Sequence, residues 1–245
     1  MSKNFELLQR VAKQHHFDLP GMPAQPRPKA LAEIQFKKQP HDPEIAKLVH
    51  RLFAAPDKTG TARVVGFSGI TREDRSTWIC ARAGEILAER EDIAVCIVDA
   101  NLWSPRLHMH LAATNQAGLA EALTDAAPIR NFAVPLNRPN FWMITSGMMK
   151  PGFYPSLERC RERFAEMRRS FDYILVSAPA FSREAEATFV GQLSDGVVLV
   201  VEANQTRRDA VLRAKQQLEG AKVQLLGAVL DQRSYPIPEK IYRKL

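Results

Sequence analysis

The chain has 245 residues, 45% of them hydrophobic and 25% charged, enough to bury the core of one large α/β domain with a short appendage. No apolar run approaches the roughly 20 residues that cross a bilayer, and MSKNFELLQR at the N-terminus carries no apolar signal core, so the expected location is the cytoplasm. The formal charge of +7 favours acidic partners, whether nucleic acid, anionic lipid or an acidic protein tail.

Residues 1–60 differ from the remainder. Leu7, Leu8 and Val11 are spaced as on a short amphipathic helix, after which Pro20, Pro23, Pro26 and Pro28 forbid regular structure through a linker-like stretch. Then PEIAKLVHRLF places Ile45, Leu48, Leu52 and Phe53 on one face of a helix with Pro43 at its start. This segment reads as an arm with a docking helix. Its apolar face is expected to meet either a neighbouring subunit or its own domain.

From Ala62 the pattern alternates. Strand-like runs occur at ARVVGF, IAVCIVDA, FWMIT, YILVS, GVVLVVEA and QLLGAVL, several of them continuously apolar as in strands covered on both faces. Helical patterns lie between them, over Ser76–Arg90, Ser156–Ser170 and Thr206–Glu219. Strands alternating with helices predict a doubly wound, mostly parallel sheet flanked by helices, over residues 61–245. Ligands of such sheets bind beyond the carboxyl ends of the strands. Cys80, Cys96 and Cys160 lie apart without a C-x-x-C pair and are expected to be buried thiols.

The stretch GFSGITREDRSTW, Gly66 to Trp78, stands where a strand should turn into a helix. A phosphate-binding loop reads G-x-x-x-x-G-K-[ST]: glycines let backbone N–H groups cradle phosphate, lysine neutralises it, and the hydroxyl ligates magnesium. Gly69 and Ser76 keep the two ends of that pattern, while Asp74 replaces the second glycine and Arg75 the lysine. Asp74 brings a Cβ and a negative charge toward the phosphate position, and Glu73 adds another carboxylate beside it. Arg75 keeps the charge without the compact ammonium. A plain strand-to-helix turn capped by Asp74 or Ser76 is the simpler reading of the same letters.

Several motifs in order, over roughly Pro43 to Leu245, resemble the cytoplasmic kinase domains of bacterial tyrosine kinases from capsule and exopolysaccharide loci, in the MinD/ParA-like branch of P-loop ATPases. VDANLWSPRLH, Val98 to His108, resembles that family's IDADLRRPSLH, with Asp99 at the magnesium-organising and catalytic aspartate and Asn101 in place of its second acidic residue. Trp103 and Ser104 replace two family arginines, whereas Pro105 and His108 match. YILVSAPAF puts Ser177 where the family has the aspartate of DTPP, and a hydroxyl is a weak ligand for a hard cation. Asp231, in LLGAVLDQ, falls at a position where the family often carries the asparagine that reads adenine.

The resemblance thus implies a P-loop fold whose nucleotide contacts have changed at three independent points: cradle, phosphate charge and metal. It implies a regulator or scaffold whose partner is the cytoplasmic tail of a membrane-anchored chain-length or export protein, with the chain itself cytoplasmic or peripheral at the inner face of the membrane. The competing reading is an ATP-dependent tyrosine autokinase. Mg-ATP or Mg-ADP would then meet Gly69, Arg75, Ser76, Thr77 and Asp99, with Arg75 toward phosphate, Ser76 or Thr77 on magnesium, and Asp99 organising the metal or acting as the catalytic group.

The PEIAKLVHRLF helix, with Glu44 and Arg51, imperfectly resembles a family helix that supports ring formation, which implies a homo-oligomer. The family's tyrosine-rich tail is reduced here to Tyr235 and Tyr242 in DQRSYPIPEKIYRKL, which reads as an ordered cap with Pro238 opening a short helix and Ile241 and Leu245 on one face. His108 and His110 form an HMH pair without an evident third metal ligand. MRRS and TRRDAVLRAKQ make basic helix faces without interleaved aromatics, which solvated surface explains more simply than nucleic-acid binding.

Overall fold

Seven strands form one sheet in the order β3-β4-β2-β5-β1-β6-β7: β1 Val64–Gly69, β2 Val95–Asp99, β3 Val134–Pro135, β4 Phe141–Ile144, β5 Tyr173–Ser177, β6 Gly196–Glu202 and β7 Leu225–Asp231. Every neighbouring pair is parallel except β3 with β4. The computed structural model describes residues 42–53, 63–72, 74–150, 152 and 154–232. The expected helix around Leu7 and the tail with Tyr235, Pro238, Ile241, Tyr242 and Leu245 lie outside the described residues, as do Glu73 and the side chain of Asp74.

The helices are α1 Asp42–Phe53, α2 Asp74–Leu87, α3 Leu107–His110, α4 Leu119–Thr124, α5 Leu157–Ser170, α6 Glu184–Leu193 and α7 Arg208–Gly220. All residues of β1 and β2 are buried, as a parallel sheet covered on both faces requires. Successive side chains divide between the two faces with period two. Val65, Phe67, Ile97 and Leu175 pack with α1 and α2, whereas Val64, Val98, Ile174 and Val176 pack with α4, α5 and α6. A third cluster, around Val197, Leu199, Ala214 and Leu218, joins β6 to α7.

The apolar face of α1 turns onto its own domain: Ile45, Val49 and Phe53 are buried in the core, with Leu48 and Leu52 half-buried beside them. Glu44, Lys47, His50 and Arg51 remain on the exposed side. Helix α5 starts at Ser156, whose Oγ accepts the Arg159 N–H at 3.2 Å. Near its other end Arg168 makes a two-point pair with Asp195, at 3.0 and 2.8 Å. Asp195 Oδ2 also accepts the backbone N–H groups of Arg63 and Val64, at 2.7 and 2.8 Å, and so fixes the entry to β1. Burial pushes this carboxyl up, but the Arg168 pair and the two N–H groups outweigh it and hold it below the usual carboxylate range.

Strand β7 departs from the expectation of a strand covered on both faces. Among the described residues it pairs with β6 alone and so stands at the sheet edge, with Ala228 and Leu230 exposed. The three cysteines are buried and unpaired, and burial raises all three thiols, Cys160 to about 11.

Candidate functional site

The carboxyl ends of β1, β2 and β5 lie side by side, and their register brings the sequence-marked positions together. Ser177 pairs in register with Phe67 on one side and Asp99 on the other. Helix α2 leaves the loop after β1, so Ser76 and Thr77, both fully buried, sit over the same strand ends. Thr77 Oγ1 lies 3.1 Å from Ser177 Oγ, a hydrogen bond between two hydroxyls at the point where the resemblance places magnesium ligands.

Gly69 is dictated by its own loop. A Cβ there would stand 1.9 Å from the Arg72 carbonyl oxygen and 3.4 Å from Ser76 Oγ. The Gly69 carbonyl accepts the Phe181 N–H at 3.0 Å. Ile70 turns inward among Phe181 and Ala187, while Thr71 and Arg72 are exposed. The chain therefore doubles back tightly between Gly69 and α2.

Arg75 reaches away from these hydroxyls to the end of β7. Its Nε donates to Asp231 Oδ2 at 2.5 Å and its Nη2 to Oδ1 at 2.9 Å, a two-point ion pair joining residues 156 positions apart. The guanidinium also lies 4.6 Å from the centre of the Trp78 ring, within cation–π range. The Asp231 carboxylate is almost fully buried, and its hydrogen bond, against the opposing effect of burial, raises the Arg75 pKa above its ordinary value.

Asp99 ends β2 and is 1% exposed. Its Oδ1 accepts the Asn101 N–H at 3.2 Å, and its Oδ2 accepts those of Arg106 and Leu107 at 3.1 and 3.0 Å. Burial raises its pKa from 3.8 to about 6, against the pull of these three donors. Asn101 Oδ1 in turn accepts the Ser104 N–H at 3.1 Å. The motif VDANLWSPRLH is thus a loop wound around its own aspartate.

The structure gathers Gly69, Ser76, Thr77, Asp99 and Ser177 into one region and places Arg75 with Asp231 beside it. His108 is half-buried, with Nδ1 lacking a hydrogen-bond partner, and burial lowers its pKa. Among the described residues no group of three or more His, Cys, Asp or Glu side chains is placed to hold a metal ion. Sequence reasoning missed the Thr77–Ser177 bond, the Arg75–Asp231 pair and the amide cradle of Asp99. Only the cradle left a trace, as a buried aspartate a few residues ahead of a short helix.

No protein-family model matches the chain. Its homologues are bacterial tyrosine-protein kinases. It is 24% identical over 180 residues to the tyrosine-protein kinase YwqD of Bacillus subtilis (strain 168), across 68% of this chain and 76% of that protein. It is 27% identical over 116 residues to the tyrosine-protein kinase CpsD of Streptococcus agalactiae, across 46% of this chain, and spans only about half of that relative, 51%. The kinase domain of Escherichia coli tyrosine kinase ETK superposes with a TM-score of 0.71 at 20% identity, over 92% of this chain and 89% of that one. The MinD cell division protein of Aquifex aeolicus does so with a TM-score of 0.59 at 20% identity, over 75% and 73%. The chain therefore shares the fold of these two structures, as the resemblance implied, and has the doubly wound, mostly parallel sheet expected from the alternating strands and helices.

Proposed function

We propose that this chain is a degenerate P-loop protein that regulates or scaffolds bacterial exopolysaccharide or capsule synthesis and export through protein contacts rather than phosphotransfer. The observation that carries the reading is the Arg75–Asp231 pair. The one loop cation at the lysine position is held by a carboxylate of its own chain, so a phosphate would have to displace Asp231 to recruit it. The groups toward magnesium fit no better. Thr77 and Ser177 bond each other, and both Asp99 oxygens accept backbone N–H groups. No step of catalysis is assigned to this set of residues.

In this reading residues 1–60 form an arm and 61–245 the P-loop-like domain, and the chain works in the cytoplasm or at the inner face of the membrane. No helix among the described residues is long and apolar enough to cross a membrane. The partner is a membrane-anchored chain-length or export protein that docks its cytoplasmic tail beside the altered loop, and the exposed side of α1 is left for a further copy of the chain.

The competing reading is an ATP-binding tyrosine autokinase with a non-standard site. It is favoured by the names of the homologues and by Asp99, whose pKa near 6 suits a proton acceptor at neutral pH. Calorimetric titration with Mg-ATP and Mg-ADP separates the two. The natural chain should give no binding heat up to millimolar nucleotide, while an Asp74→Gly, Arg75→Lys, Asp231→Asn variant should regain it. Micromolar binding by the natural chain, with phosphotyrosine that disappears in Asp99→Ala, would overturn the scaffold reading.

A further inference from the structure

An apolar cavity opens beside the strand ends just described, its lining taking in Ala100 and Pro179, one and two residues beyond Asp99 and Ser177. On the face covered by α4, α5 and α6, this cavity of about 340 Å³ penetrates between these helices. Its floor is core: Leu123, Cys160, Phe164, Val190 and Leu193 line it and are all buried. Its mouth is aromatic. Trp103, 44% exposed, and Tyr154, 76% exposed, lie with ring centres 6.0 Å apart.

Protein interiors hold few voids larger than a water molecule, and an apolar cavity of about 150 Å³ is already enough to take up benzene. At roughly 30 Å³ per water-sized group, the volume here accommodates about eleven such groups. Its chemistry is selective as well. Among the described residues no lysine, arginine or histidine lines it, and Glu186 is the only carboxylate there. A phosphate or carboxylate would find no counter-charge and would face that acid. An apolar body with one hydroxyl would find aliphatic and aromatic walls and an acceptor for its proton.

The wall is built rather than left over. Glu121, on α4, accepts the Gly118 N–H at 2.8 Å and the Met148 N–H at 2.9 Å. Asn115 accepts the Gly147 N–H at 2.9 Å and donates to the Gly147 carbonyl at 3.1 Å. Gly147 has φ +74°, and a Cβ there would stand 1.9 Å from Glu121 Oε2. Gly147 and Met148, just ahead of the lining residue Met149, are therefore fastened to the helix that contributes Leu119 and Leu123 to the wall.

We propose that this cavity binds a neutral small molecule with an apolar body of about ten heavy atoms, alkyl or fused aromatic, and a single hydroxyl directed at Glu186. Its lining residues include none of Gly69, Arg75, Ser76, Thr77, Asp99 or Ser177, and binding here does not rest on the reading given for those residues. The exposed rings of Trp103 and Tyr154 flank the entrance.

The test uses the full chain with 1-naphthol and 1-decanol as probes and 1-naphthyl phosphate as the charged control. Calorimetry should show saturable one-to-one binding of both alcohols and at least tenfold weaker binding of the phosphate ester. Val190→Phe, which fills the cavity from its floor, should weaken 1-naphthol at least tenfold. Glu186→Gln should weaken it severalfold and narrow the gap to the phosphate ester. Hydrogen exchange on the unmodified chain needs no variant, and 1-naphthol should slow exchange in Leu157–Phe164 and Ala185–Leu193. Non-saturable uptake, equal binding of the phosphate ester, unchanged binding in a folded Val190→Phe chain, or unchanged exchange in both helices would each overturn the proposal.

Discussion

Replacing Asp99 with asparagine separates the cost of a buried charge from the benefit of the hydrogen bonds made to it. The carboxyl is 1% exposed, and burial moves its pKa from 3.8 to about 6. The folded chain therefore holds this proton more tightly than the unfolded chain does. The resulting stability is fully present below pH 3.8 and is lost as pH rises through about 6. At about 1.36 kcal/mol per pKa unit, the loss is about 3 kcal/mol by pH 8 and roughly half of that at pH 5. Acidification from pH 8 to pH 5 should thus return about 1–2 kcal/mol to the natural chain through this one group.

Asparagine does not titrate. Its carbonyl oxygen can take the place of Oδ2 and keep the Arg106 and Leu107 N–H groups, but its NH₂ then faces the Asn101 N–H, at a cost of about 1–3 kcal/mol. At pH 8 that cost and the relief of the buried charge nearly offset each other. At pH 5 the variant should be relatively weaker by about 1–2 kcal/mol. Urea unfolding of both chains at the two pH values, with equal slopes, measures the difference directly. A stability difference that is the same at pH 5 and pH 8 would refute the raised pKa, and with it the account of Asp99 as a buried acid whose desolvation outweighs its three N–H donors.

Gly69→Ala should cost about 3 kcal/mol in stability, because the new Cβ meets a backbone oxygen, that of Arg72, at 1.9 Å and no side chain can swing aside. An unchanged melting temperature would show that the loop relaxes freely. Asp195→Ala strands the Arg63 and Val64 N–H groups and frees Arg168, so about 1–3 kcal/mol should be lost at neutral pH. Since this carboxyl is held below its usual range, its contribution in the natural chain is present at neutral pH and fades as pH falls through its folded pKa. The natural and variant chains should converge in stability in acid, and a constant gap down to pH 2 would contradict that.

The central strands were legible because burial on both faces writes itself locally: IAVCIVDA and YILVS contain β2 and β5 with no intervening polar residue. Helix α5 was legible through Ser156 and the spacing of Cys160, Phe164 and Met167. Strand β3 was not, since two residues pairing antiparallel at an edge carry no periodicity. Helix α6 was not either, because EAEATFVGQL buries Ala187, Val190 and Leu193 among small and polar neighbours that blur its apolar stripe. The site divided in the same way. The loop ends Gly69 and Ser76 could be read from spacing, whereas the Thr77–Ser177 bond spans 100 positions and the Arg75–Asp231 pair 156. Such partners are chosen by strand order, which no local pattern encodes.

Two changes that look independent in the sequence become one unit in the structure. Read alone, arginine at the lysine position is a poor substitute, and aspartate at the end of β7 resembles a lost adenine contact. Together they form the pairing that arginine makes and lysine does not, a planar fork on a carboxylate with both donors used. Lysine would contribute one point charge and leave an Asp231 oxygen without that donor. Strand β7 and helix α2 hold the two groups in place, so the carboxylate competes for Arg75 at an effective concentration above the millimolar value of even a short flexible tether. On the proposed reading, free nucleotide would have to displace that competitor to reach the guanidinium. The stacking of Arg75 on Trp78 fixes the fork in the same orientation. Restoring lysine without removing Asp231 would therefore leave an anion facing the phosphate, which is why the restoring variant requires both changes beside Asp74→Gly.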